Sequence, residues 1–201
     1  NILLLPRIRI FYNSQIEYCI DINWHRFLKE TFPKSKIFYP ENLKNKKMID
    51  LIISTGGNNI TSISNNKNDK LRNKIDTKFF NIAKKNNTPF IGVCYGAQFI
   101  AEKNNSKIKR VKSHTKSHMI YFEKEEIKIV GQNKAILTNS FHDYGILNLN
   151  SKFNVLARAK DKTIELFMHK NLNFLGIMWH PERYNKFRKI DKNIFKRFYK
   201  K

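Results

Sequence analysis

Phe90-Ile-Gly-Val-Cys94-Tyr-Gly-Ala-Gln98 is the stretch that decides how this chain folds. An apolar run leads into Cys94, a glycine stands two residues before it and another two after, and a helix-like stretch, Ala97 to Ala101, follows. This is the pattern of a nucleophile elbow, a sharp strand-to-helix turn, with sulfur in place of the serine oxygen. The turn would expose the side chain at the strand's C-terminal end and place its sulfur near a helix N-terminus, which favours the reactive thiolate. It would also aim the amide of Tyr95 at a developing oxyanion. Gly92 and Gly96 suit a turn too tight for neighbouring Cβ atoms. Taken alone, the pattern fits equally a cysteine buried at a strand–helix junction.

A second stretch separates these readings. Phe174-Leu-Gly-Ile-Met-Trp-His180-Pro181-Glu182 is an apolar strand ending in His-Pro-Glu. A cysteine nucleophile needs a base, and the base needs an orienting group. A histidine at a strand end, with a carboxylate two residues on across a proline of fixed φ, supplies both from one rigid segment.

Around these motifs, short apolar runs alternate with helical patterns. Ile2 to Leu5, Lys36 to Tyr39, Leu51 to Ser54 and Phe90 to Val93 read as strands. Ile16, Ile20, Trp24, Phe27 and Leu28 recur at helical spacing, as do Leu71, Ile75, Phe79, Ile82 and Ala83. The alternation predicts a three-layer α/β domain over residues 1–201, with an open, mostly parallel flavodoxin-like sheet. The second half predicts closely spaced strands at 119–122, 127–130, 135–138, 155–159, 164–168 and 174–178, several of them antiparallel, and a terminal helix over 191–199. The polar run Asn58 to Asp69 reads as a loop bordering the site.

Four motifs carry a family resemblance. Gly92-Val-Cys-Tyr-Gly-Ala-Gln98, Trp179-His-Pro-Glu182, Ser54-Thr-Gly-Gly57 and Asn139-Ser-Phe-His142 stand in the order found in the class I (triad) glutamine amidotransferase superfamily. Within it, the chain resembles the γ-glutamyl hydrolase-like branch. Glu17 to Trp24 also resembles an acidic-then-Trp helix of some of its members. The resemblance implies that Cys94 attacks a γ-glutamyl carbonyl to form a thioester, that His180 moves the protons and that Glu182 holds the imidazole. It implies an oxyanion hole at the amides of Gly57 and Tyr95. The glutamyl group would be held by Gly56, Gln98, the segment at Ser140 and Phe141, and His142. A solvated loop histidine is an equal reading of His142.

Activity is then expected to be hydrolysis of a γ-glutamyl amide by a free-standing enzyme without a cofactor. A nucleotide-linked substrate such as a γ-glutamyl-CDP-amidate of capsule biosynthesis fits, while γ-glutamyl-aminobutyrate and other γ-glutamyl amines stay open. So do a glutaminase subunit feeding ammonia to a synthetase partner, and a homodimer. A non-catalytic binder with a basic surface is the reading from another class.

The net charge of +23 bears on the leaving group. It reads as attraction to an anionic partner, or as compositional drift, since Lys far exceeds Arg and is spread along the chain. Core-like placement of the aromatics argues against a nucleic-acid partner. No apolar run approaches the roughly 20 residues of a membrane span. The N-terminal Asn1 to Pro6 reads as a strand rather than a signal peptide, and two cysteines suit a reducing, cytoplasmic setting. Cys19 reads as a core thiol on the first helix. His114 and His118 are four apart, but their segment lacks helical periodicity and no third ligand is evident, so no metal is expected. Arg110, Lys112 and Lys116 in the same stretch could meet an anionic leaving group.

Overall fold

The computed structural model describes residues 1–12, 15–42, 48–123 and 134–200. The chain begins with β1 (Ile2–Leu5), the hairpin β2 (Arg7–Phe11) and β3 (Gln15–Cys19), then α1 (Asn23–Thr31), β4 (Ile37–Phe38), β5 (Leu51–Ser54) and α2 (Lys67–Asn86). The elbow strand β6 (Phe90–Val93) runs into α3 (Tyr95–Glu102). β7 (Ile108–Arg110), β8 (His118–Phe122), β9 (Ala135–Thr138), β10 (Tyr144–Ile146), β11 (Phe153–Ala159), β12 (Ile164–His169), β13 (Phe174–Ile177) and the terminal α4 (Lys189–Tyr199) follow.

Among the described residues one sheet runs β4-β1-β5-β6-β13-β12-β11-β8-β9. The pairings from β4 through β13 are parallel, and those beyond β13 are antiparallel. β1, β5, β6 and β13 are buried at every position, as expected for strands covered on both faces. Alternation divides their side chains between two cores. Ile2 and Leu4 pack with Trp24 and Phe27 of α1 and with Phe195 and Phe198 of α4. Leu3 and Leu5 pack with Phe79 and Phe80 of α2 and with Phe99 of α3. The result is the three-layer α/β arrangement, with antiparallel strands added on one side. No helix among the described residues is long and apolar enough to cross a membrane.

Helix α2 starts earlier than the apolar periodicity indicates. Asn66 caps it by accepting the Asp69 amide at 2.9 Å, and Asn87 ends it in the left-handed conformation. The loop at 58–66 is correspondingly shorter than expected.

The first helix is a correction. Ile16 and Cys19 belong to β3, not to a helix, and the helix begins only at Asn23. Gln15 to Cys19 pairs in register with β2, from Phe11↔Gln15 to Arg7↔Cys19, and Ile16 is 54% exposed. The spacing of Ile16 and Ile20 was therefore coincidental, because hairpin pairing satisfies that backbone before a helix can form. The Glu17 to Trp24 stretch is likewise strand and turn for most of its length. The strand expected at 127–130 lies outside the described residues.

Candidate active site

β1, β5, β6 and β13 end together, and the site lies at their C-terminal edge. Cys94 occupies the junction of β6 and α3 with φ 53° and ψ −102°, a conformation unfavourable for a residue with a Cβ. The surrounding glycines permit it. A Cβ on Gly92 would sit 2.3 Å from the Gly96 carbonyl, and one on Gly96 would sit 2.3 Å from the Ser54 carbonyl. Tyr95 is the first residue of α3, so its amide is one of the donors a helix leaves without an internal partner.

His180 follows β13 and is held from three sides. Its Nδ1 lies 2.6 Å from Glu182 Oε1, in a pair almost wholly buried. Its backbone is clamped by the Asn139 side chain, which accepts from His180 N and donates to His180 O, both at 2.8 Å. Gly56 leaves room for the ring, since a Cβ there would lie 2.4 Å from His180 Cε1 and 3.3 Å from Cys94 Cβ. Burial disfavours the imidazolium, but the Glu182 carboxylate and the Cys94 side chain outweigh it and push the His180 pKa up to about 9. Behind it, Trp179 donates its indole N–H to Asp191 Oδ1 at 2.9 Å and ties this strand end to α4.

Two clefts meet at Gly57, His180 and Arg183. The narrow one, of about 190 Å³, is lined by Cys94, Asn58, Gln98, Phe141, His142 and Tyr144 among others. The wider one, of about 430 Å³, runs past Gly56 to Arg7, Tyr18, Cys19, Asp21 and Trp24. Cys19, expected in the core, is thus half-buried beside the wide cleft. Gly57 has φ 85°, and Arg7 packs against the space a Cβ would fill. Arg183 lies over the Phe141 ring at 4.8 Å and pairs with Asp21 at 3.4 Å. No acidic group stands within ion-pair distance of Arg7 among the described residues.

The remaining residues expected at the site are distributed unevenly. Gln98 is beside Cys94, where its amide donates to the Tyr144 carbonyl at 2.7 Å. Phe141 stands edge-on to His180, with ring centroids 5.5 Å apart. Ser140 turns away from the cleft, and its hydroxyl donates to the His114 carbonyl. His142 lines the narrow cleft but is buried, not solvated, and its Nδ1 donates to the Tyr144 carbonyl at 3.1 Å. Arg110 and Lys116 are exposed.

Three supports escaped the sequence reading. Asn58 accepts from Ile8 N and donates to Ile8 O, holding β2 over the cleft. Asn139 was visible only as part of its motif. Arg72 of α2 is wholly buried and donates to the Leu5 and Thr55 carbonyls, both at 3.1 Å, and to Asp76 at 2.8 Å. It thereby joins the ends of β1 and β5 just before the Gly56-Gly57 loop, and its guanidinium packs 4.6 Å from the Tyr95 ring centroid.

Comparison with known proteins bears directly on this arrangement. The model of the Peptidase C26 family matches residues 43–182, from before β5 to Glu182. The chain belongs to the Peptidase C26 family. A Campylobacter jejuni γ-glutamyl-CDP-amidate hydrolase is 35% identical over 175 residues, covering 83% of this chain and 82% of that protein. The glutamine-hydrolysing component of a Methanococcus aeolicus GMP synthase is 27% identical over 141 residues, covering 70% and 68%. Among solved structures, a glutamine amidotransferase from Thermotoga maritima superposes with a TM-score of 0.68 at 14% identity, covering 90% of this chain and 75% of that one. The latter likeness is one of fold: the class I glutamine amidotransferase architecture. As a Peptidase C26 member similar to an amidate hydrolase, the chain is a hydrolase of γ-glutamyl amides.

Proposed function

We propose that Cys94, His180 and Glu182 act as a Cys-His-Glu triad that releases glutamate from a γ-glutamyl amide whose leaving group is nucleotide-linked. The observation that carries the reading is the buried imidazole between Glu182 and Cys94, at the junction of a narrow and a wide cleft. Cys94 Sγ bonds to the γ-glutamyl carbonyl carbon, and the C–N bond breaks as His180 delivers a proton to the departing nitrogen. Water then adds to the thioester, His180 takes its proton, and glutamate leaves as the thiol is restored. The Gly57 and Tyr95 amides stabilise both oxyanions, a contribution of about 3–4 kcal/mol per donor.

The narrow cleft suits the glutamyl group, with Gln98 and Phe141 in its wall. The wide cleft suits the leaving group, and Arg7 offers it a cation without an acidic partner. The name of the Campylobacter jejuni relative, a γ-glutamyl-CDP-amidate hydrolase, supports that assignment. Purified protein tested on γ-glutamyl-CDP-amidate, γ-glutamyl-aminobutyrate and glutamine should prefer the first by at least about tenfold in kcat/KM. Arg7→Ala should raise KM for that substrate and leave glutamine unaffected. Preference for the neutral amine would sink the nucleotide assignment, and glutamine turnover only beside a synthetase would favour an ammonia-donating role.

The pH dependence follows from His180. Its pKa of about 9 lies above the usual histidine value, so the imidazolium needed to protonate the leaving nitrogen is lost as pH rises through about 9. A kcat/KM profile should fall on that alkaline limb. Glu182→Gln removes the carboxylate that favours the charged ring, so the limb should move to lower pH. By the same linkage, His180 stabilises the fold fully below about pH 6.5 and loses that contribution on approach to pH 9. An alkaline limb unmoved in Glu182→Gln would remove Glu182 from this role.

A further inference from the structure

Four side chains converge beside the narrow cleft from four separate segments. Glu165 sits in the middle of β12, wholly buried. Its Oε1 lies 3.2 Å from His114 Nδ1, 3.4 Å from His118 Nε2 and 3.7 Å from His142 Nε2. None of these approaches is a hydrogen bond. The three ring nitrogens and both Glu165 oxygens are buried and unpartnered. Five unsatisfied polar atoms around one point would be expensive in an otherwise well-bonded interior.

The outer ring nitrogens show which way the histidines face. His114 Nε2 meets Asp161 Oδ2 at 2.9 Å, His142 Nδ1 meets the Tyr144 carbonyl at 3.1 Å, and His118 Nδ1 approaches the Lys116 carbonyl at 3.4 Å. An oxygen acceptor on each outer nitrogen leaves the inner nitrogen with a lone pair, aimed at a carboxylate that also offers only lone pairs. Oxygen acceptors behind each ring are the usual support of metal-ligating histidines. The spacing agrees as well. Ligand atoms about 2.0–2.1 Å from a tetrahedral zinc lie about 3.4 Å from one another. The Glu165-to-histidine distances of 3.2–3.7 Å bracket that value, and the inner atoms of His114, His142 and Glu165 all fall within 4.8 Å of one another.

We propose that His114, His118, His142 and Glu165 bind a divalent transition metal, with zinc the best fit to three imidazoles and one carboxylate. Four protein ligands close the coordination sphere, so the centre is structural. It corrects the expectation that His114 and His118 lack further ligands. The missing two come from β12 and from the loop between β9 and β10. The site also gives His142 a function. The same loop carries Asn139, which clamps His180, and Ser140, whose hydroxyl meets the His114 carbonyl. A metal would fasten this loop to β12 and hold the floor of the narrow cleft. The inference stands on its own ligands and does not depend on the hydrolase assignment.

The test is metal content and zinc binding of the full chain. Protein produced in zinc-supplemented medium and measured by plasma mass spectrometry should carry about one zinc per chain. Cys94→Ser should carry the same, and Glu165→Gln and His114→Ala about a tenth or less. Wild-type protein stripped with a chelator and given zinc alone should regain one equivalent against a chromophoric competitor. Its thermal unfolding midpoint should rise with zinc and not with magnesium. These wild-type measurements decide the matter even where a variant fails to fold. Metal-free protein indifferent to added zinc would overturn the proposal. So would zinc retained in Glu165→Gln and His114→Ala, or zinc lost in Cys94→Ser, which would put the metal on the thiol.

Discussion

Replacing Cys94 with serine is expected to lower γ-glutamyl hydrolysis by at least about a thousandfold while leaving the thermal unfolding midpoint nearly unchanged. The change is one atom, in a turn whose strained backbone is permitted by Gly92 and Gly96 rather than by the side chain itself. Sulfur and oxygen differ in how readily they ionise, and the site is built around an easily formed anion: a helix N-terminus in front and a raised-pKa imidazole beside it. His180→Ala should fall by a similar factor. The double variant should be little worse than either alone, because the members act as a unit and residual turnover comes from binding and the oxyanion donors. Steady-state rates on a γ-glutamyl substrate, with unfolding curves as controls, measure this. Equal activity of wild type and Cys94→Ser would return the chain to the class of basic, non-catalytic binders.

The second large effect concerns stability. Arg72→Met should destabilise the fold by about 3–5 kcal/mol, since it strands the Asp76 carboxylate in a fully buried position. The Leu5 and Thr55 carbonyls lose a donor in the same step. A double variant, Arg72→Met with Asp76→Leu, should recover a large part of the loss, because a buried ion pair is costly chiefly when one partner is missing. Urea unfolding of the two single variants and the double variant gives the coupling. A single-variant cost below about 1 kcal/mol would show that the pair is dispensable. Because Arg72 joins the strand ends before Gly56 and Gly57, the surviving folded protein should also be slower, with kcat affected more than KM.

Much of this was legible because the relevant signals are local. Cys94 and Gly92 to Gly96 lie within one turn, and His180 and Glu182 within one strand end. Short-range sterics and a fixed proline determine their relation before any packing occurs. The parallel strands were legible because burial on both faces demands uninterrupted apolar runs. Helical spacing failed at Ile16 and Ile20, where only two apolar residues supported it and the register with β2 offered a competing use of the same backbone. Glu165 left one clue, a charged residue inside an otherwise apolar strand, and that clue says only that some partner must exist.

By itself, then, the sequence determined the elbow, the His-Pro-Glu strand end and the layered α/β order, since each depends on residues near one another in the chain. Tertiary structure decided what required distant segments to meet. It brought Arg72 beneath the strand ends and placed Cys19 at a cleft rather than in the core. It gathered three histidines around Glu165 from separate loops and strand ends. Residues so far apart in sequence share no spacing rule, and only sheet pairing and the packing of loops on it fix the distances between them.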